Sequence, residues 1–219
     1  PYSILGIGMK EVELKKGFPE HYKWVGPSGA SVEAGKDYPL DLSIFPNQKK
    51  VLVTCGTQLA WAKENLIYQA KQLAKAHPDC HFFVTRGVGG EVFQCENLME
   101  NLSVVSYIPY KEYIPQMDYV IHHGGAGIFY QCIIYGKPAL ILPHDYDQFD
   151  YAVRGVEAGV ALSANKEDTR AIGQAFDNLL AKGDWSELET LRQAAQSYHP
   201  TEILESEIHR LLAERENER

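Results

Sequence analysis

From residue 50 onward, short β-branched and apolar runs alternate with stretches that repeat apolar residues at helical spacing, and this leaves few architectures open. Lys50-Val51-Leu52-Val53-Thr54-Cys55-Gly56 is a strand-like run closed by glycine. His81-Phe82-Phe83-Val84-Thr85, Leu102-Ser103-Val104-Val105, Tyr119-Val120-Ile121-His122 and Ala139-Leu140-Ile141-Leu142 follow, each bounded by turn residues or a helical stretch. Helices are predicted over 64–76, 128–135, 149–158, 169–181, 185–196 and 201–215, with Gly136 and Gly159 where helix stops belong. Strands separated by helices imply a parallel sheet in an α/β domain. The last helix is strongly charged, and its narrow apolar face of Ile203, Ile208, Leu211 and Leu212 suits packing on this domain or on a neighbour.

Residues 1–46 give no sustained helical period and read as a connector or entry segment with one or two short strands; residues 47–219 read as the folded domain with its C-terminal helices. At 219 residues, the chain has room for one well-filled α/β domain and is short for two. A net charge of -8 argues against general phosphate-backbone binding, so no nucleic-acid partner is expected. Cys55, Cys80, Cys95 and Cys132 lack CxxC spacing and read as reduced, mostly buried thiols. No apolar run approaches the roughly 20 residues that span a bilayer, and no charged-then-apolar leader opens the chain, so a cytoplasmic location is expected. The abrupt opening at Pro1 suggests a fragment.

The most informative stretch is Asp118-Tyr119-Val120-Ile121-His122-His123-Gly124-Gly125-Ala126-Gly127, a buried-type strand that passes through a glycine-rich turn into a helix. Such a turn presents backbone N–H groups at a helix N-terminus, where unpaired donors and the helix dipole favour a phosphate or diphosphate. A plain tight turn has the same composition, and His123 beside His122 also suits a satisfied polar residue at a strand end. Beyond the turn come Gln131, Gly136-Lys137-Pro138 and Pro143-His144-Asp145-Tyr146-Asp147-Gln148, with Ala152 and Arg154 further on.

This ordered set resembles the C-terminal signature of the glycosyltransferases that include UDP-glucuronosyltransferases, plant secondary-metabolite glycosyltransferases and bacterial macrolide or sterol glycosyltransferases. Val25-Gly26-Pro27 resembles the family's segment leading into the donor domain, Val53-Thr54-Cys55-Gly56-Thr57 its first-strand turn, and Tyr107-Ile108-Pro109-Tyr110 its W-x-P-Q; the likeness covers residues 24–159. The implied fold is a Rossmann-like doubly wound parallel sheet, the donor half of a GT-B fold. The implied function is binding of a nucleotide sugar, UDP-linked or dTDP-linked, for an inverting transfer completed by an N-terminal acceptor domain or a separate acceptor subunit. In the family the catalytic base is a histidine of the acceptor half, and no residue of this chain corresponds to it. No cofactor or metal is implied beyond the UDP-sugar itself. Half of a sugar-nucleotide epimerase, which shares the fold, is the alternative.

By the resemblance, His123 donates to a phosphate oxygen, and the backbone amides of Gly125, Ala126, Gly127 and Ile128 hold the diphosphate. Thr57 adds a hydroxyl donor, Tyr107 stacks on the base while the Ile108 backbone meets its polar edge, Gln131 faces the ribose hydroxyls, and Asp147 and Gln148 hold the sugar. Four positions depart from the family: Ile128 replaces a Ser or Thr, Gln131 replaces a Glu, and Tyr107 and Tyr110 replace Trp and Gln. Tyr107 and Tyr110 also read as core or rim aromatics, and Asp147 and Gln148 as the cap and first turn of a helix, which is compatible with sugar contact. Arg86-Gly87-Val88-Gly89-Gly90 reads as a flexible turn, and the cluster from His77 to His81 matches no zinc spacing.

Overall fold

The computed structural model describes residues 2–14, 17–27, 39–57, 59–88 and 93–217. Gly89 and Gly90 of the Arg86 turn, and residues 28–38 of the entry segment, lie outside the described residues. Strands β1 (Ile4–Ile7) and β2 (Tyr22–Gly26) pair in parallel as a small sheet of their own. The main sheet contains β3 (Lys49–Thr54), β4 (Cys80–Thr85), β5 (Cys95–Met99), β6 (Leu102–Val105), β7 (Tyr119–His122), β8 (Ala139–Ile141) and β9 (Ala161–Ser163), in the order β5-β6-β4-β3-β7-β8-β9. Only β5 runs antiparallel to its neighbour. From β3 the chain adds β4 and β6 on one side and then β7, β8 and β9 on the other. The winding therefore reverses between β3 and β7, where a doubly wound sheet opens a crevice beyond its strand C-termini.

The helices are α1 (Lys63–Ala76), α2 (Tyr110–Tyr113), α3 (Ala126–Ile134), α4 (Gln148–Glu157), α5 (Thr169–Ala181), α6 (Ser186–Gln196) and α7 (Pro200–Asn217). Every helix predicted from the sequence occurs within two residues of its expected bounds. Parallel strands covered on both faces are apolar at successive positions rather than alternate ones. Val51, Leu52 and Val53 are all buried, as are Phe82, Phe83 and Val84 on β4. Leu52 and Phe83 join Ile128, Phe129, Ala152 and Leu188 beneath α3, α4 and α6. Val51, Val53 and Phe82 join Leu66, Ala70, Phe176 and Leu179 beneath α1 and α5.

The sequence pattern does not announce β5, β9 or α2. β5 is an exposed edge of mixed residues whose extended form follows from pairing with β6, and β9 and α2 are three and four residues long. Cys55, Cys80 and Cys132 are buried free thiols, and Cys95 is exposed. Helix α7 lies against the small sheet, with Ser3 donating to the buried Glu207 carboxylate and Arg210 Nη2 donating to the same oxygen at 2.7 Å. Leu204, Ile208 and Leu212 remain open to solvent. No helix among the described residues is long and apolar enough to cross a membrane.

Four apolar residues of the entry segment, Met9, Val12, Val25 and Leu42, are buried. Met9 and Val12 are buried in the same cluster as Leu52 and Phe129, and Arg154 Nη1 donates to Glu13 Oε2 at 2.9 Å across to α4. Met9 is fully buried, so Met9→Ala is expected to lower unfolding free energy by about 2–4 kcal/mol. Urea denaturation measures this; an unchanged midpoint would mean that the segment is only tethered to the domain.

Candidate functional site

The turn from β7 to α3 stands at the reversal point of the sheet. Its geometry requires two glycines. Gly124 has φ +93°, and a Cβ there would meet the Gln148 carbonyl oxygen at 2.8 Å. A Cβ on Gly125 would meet His123 Nε2 at 2.5 Å, so the imidazole lies directly over the turn. Gly125 is the N-cap of α3, and no side chain caps that helix end. The N–H groups of Ala126, Gly127 and Ile128 form its first turn, with the positive end of the helix dipole. Ala126 and Gly127 thus belong to the helix rather than to the turn before it. The Ile128 side chain is packed into the core, so only its backbone reaches the helix end.

Three histidines surround this helix end. Burial pushes His123 down to about 4; nearby His144 lowers it further, and the Thr54 carbonyl acts in the opposite sense. Burial, with a smaller effect of His123, pushes His122 down to about 3. His144 is also lowered, mainly by burial. All three rings are therefore neutral near pH 7, and His123 can donate one N–H without carrying charge. Its Nδ1 is buried without a partner, as are His122 Nε2 and Gln131 Oε1, so three such atoms fall on the single β7–α3 unit. Gln131 is buried.

The remaining sequence-derived positions lie on the neighbouring loops. Thr57 is exposed just beyond β3. Ile108 anchors the loop after β6 in the core, and Tyr107 beside it is half-buried. Tyr110 is tied to the end of β3, its hydroxyl 2.7 Å from Thr54 Oγ1, which places it as a packing residue of the strand end. After β8, Gln148 Oε1 accepts from the backbone N–H groups of His144 at 2.9 Å and Asp145 at 3.1 Å. Gln148 thus shapes the loop with its side-chain oxygen. Asp147 holds the N-cap position of α4 without making the capping bond, and its carboxylate is exposed. Tyr146, 86% exposed, has φ +46°, the one left-handed non-glycine residue among those described. Strain of this kind gathers at functional loops.

Two residues at the crevice carried no sequence signal of their own. His144 lies within a quoted motif but has no role there, and Trp61 precedes α1 in an unremarked loop; their rings meet at 5.8 Å. Among the described residues, no group of three or more His, Cys, Asp or Glu side chains is placed to hold a metal ion.

The neutral histidines set a pH dependence. His81, on β4, is also pushed down to about 4 by burial. For each ring the folded value lies below the unfolded value near 6.5, so the unfolded chain binds more protons between those limits. Stability is complete above pH 6.5 and falls as pH drops toward 4. At pH 5 the loss is about 2 kcal/mol for each fully buried ring, with less from half-buried His123. Urea midpoints at pH 7 and 5 check this, and His81→Phe is expected to reduce the difference.

Residues 89–209 match the family described as "Erythromycin biosynthesis protein CIII-like, C-terminal domain". The chain is 24% identical over 173 residues to an uncharacterized UDP-glucosyltransferase, YdhE, of Bacillus subtilis, covering 77% of this chain and 42% of that protein. It is 29% identical over 122 residues to the 3-alpha-mycarosylerythronolide B desosaminyl transferase of Saccharopolyspora erythraea, covering 53% of this chain and 28% of the relative. Among solved structures, the glycotransferase of kitacinnamycin superposes with a TM-score of 0.79 at 20% identity, covering 96% of this chain and 55% of that one. The spinosyn rhamnosyltransferase SpnG, solved with thymidine diphosphate, gives 0.76 at 17% identity, covering 94% and 56%. The chain thus spans about half the length of these structures and less than half of these curated relatives. With the family match extending over more than half of its residues and the parallel sheet of the GT-B C-terminal domain at its centre, the chain belongs to the erythromycin biosynthesis protein CIII-like C-terminal domain family of glycosyltransferases.

Proposed function

We propose that this chain binds the nucleotide sugar, UDP-linked or dTDP-linked, for an inverting glycosyltransferase whose acceptor site lies in another domain or subunit. The observation that carries this reading is the uncapped N-terminus of α3 beneath the neutral His123, set where the sheet reverses direction. Backbone amides of Gly125, Ala126, Gly127 and Ile128 hold the diphosphate, and His123 donates to one of its oxygens. Thr57 adds a hydroxyl, Tyr107 and the Ile108 backbone receive the base, and Gln131 turns toward the ribose. Asp147 and the Gln148 amide hold the sugar hydroxyls.

Inverting transfer needs an acceptor hydroxyl stripped of its proton and a departing diphosphate whose charge is stabilised. These residues supply the second requirement, since donors aimed at the diphosphate strengthen as its charge grows. The proton acceptor belongs to the other half. No metal is assigned to the protein in this scheme. The site is open to solvent along Thr57, Trp61, Tyr146 and Asp147, all of which are exposed. An open edge admits water, which weakens charge stabilisation until a second part covers it.

Calorimetric titration of UDP and dTDP into this chain is expected to show saturable binding that is unchanged by EDTA. His123→Ala is expected to weaken it roughly 10- to 100-fold, the worth of one hydrogen bond to a charged group. An unaffected mutant, or no binding of either nucleotide, would remove the donor-site assignment.

A further inference from the structure

Trp61 belongs to no motif, yet two other loops converge on it. It lies in the short 3-10 turn Ala60–Ala62 between β3 and α1 and is 63% exposed, while Trp24 and Trp185 are half-buried. The His144 ring, from the loop after β8, meets it at 5.8 Å with a 61° interplanar angle. Lys166 Nζ, from the loop after β9, lies over the indole at 6.0 Å from its centroid. Lys166 is held in its turn, because its carbonyl accepts from the Asn65 side chain at 3.2 Å and from Gln69 at 3.3 Å on α1. The indole is therefore bordered by His144 and Lys166 and open over most of its surface. His144 links it to the rest of the site: on one side it acts electrostatically on His123, and three residues along the chain from it stands the exposed carboxylate of Asp147.

We propose that Trp61 is the wall on which the transferred pyranose stacks, a role that rests on the donor-site reading above. An indole this exposed is unusual for the largest side chain, and one already bordered by two side chains loses less freedom when a ligand covers it. A pyranose has a face of C–H groups and a rim of hydroxyls. Its weakly positive C–H face complements the negative π face of an indole, while the rim meets Asp147 and the Gln148 amide. Trp61 thereby reads the sugar and not the nucleotide. It favours hexopyranoses with an uninterrupted C–H face over those in which an axial hydroxyl breaks that face.

The test compares UDP with UDP-glucose, and dTDP with dTDP-glucose, by calorimetry on the wild-type chain, Trp61→Ala and Trp61→Phe. Trp61→Ala is expected to bind the free nucleotides as the wild type does and the nucleotide sugars roughly three- to tenfold more weakly, with Trp61→Phe close to wild type. In the wild type, the nucleotide sugar but not the nucleotide is expected to shift tryptophan emission to the blue, and Trp61→Phe abolishes that shift. Equal affinity of wild type and Trp61→Ala for the nucleotide sugars would overturn the proposal, as would an equal loss for nucleotide and nucleotide sugar. A wild-type chain that binds none of the four ligands would overturn the donor-site reading itself, and this proposal with it.

Discussion

The crevice depends on how closely the turn after β7 passes the start of α4. The Gln148 carbonyl stands where a Cβ on residue 124 would be only 2.8 Å away, so the two backbones come together at that point. Gln148 is also fixed at its other end, its side-chain oxygen accepting from two successive N–H groups of the loop after β8. One residue therefore sets the spacing between the helix end suited to a diphosphate and the loop that carries Asp147. A side chain at residue 124 would push α4 away and carry that loop with it, disturbing both ends of the site through one contact. The φ of +93° at Gly124 adds a second reason for glycine.

Much of this architecture was legible in the residues because the sheet is parallel. Strands buried on both faces write continuous apolar runs, and Phe82-Phe83-Val84 admits few other readings. The helices were legible from period and stops. Elements whose shape is dictated by a neighbour were not: β5 takes its extended form from the ladder with β6, and its own mixed sequence leaves most of it exposed. The entry segment was harder still. Met9 and Val12 are isolated apolar residues in a stretch without period, and only the tertiary fold shows that they fill the core beneath α3 and α4.

At the site, the sequence displayed the residue types but not their protonation or engagement. Nothing in the string His122-His123 distinguishes a charged pair from two neutral rings; burial decides it. Gln148 reads equally well as a sugar ligand or a helix-end residue, and the structure divides it, with its oxygen committed to the loop and its N–H₂ left over. Tyr110 reads as a core or rim aromatic, and its hydroxyl at Thr54 Oγ1 ties it to the end of β3. His144 and Trp61 were missed because their significance lies in three loops meeting, and each loop alone is unremarkable.

The neutrality of these histidines bears on how such a half-site works. The chain carries a net charge of -8, so at long range it repels an anionic ligand, an effect screened beyond roughly 8 Å at physiological salt. Attraction must therefore be local. In the proposed reading it comes from amide dipoles whose positions are fixed by the backbone, together with a ring that donates an N–H at no cost in burying a charge. Groups of this kind need no reorganisation as negative charge builds on a departing diphosphate. Their strength depends on the dielectric around them, and along an open edge water keeps that dielectric high. A partner domain that closed the edge would strengthen every one of these contacts without adding a residue to them. Under the proposed function, such coupling would make binding the property of one half and turnover the property of both.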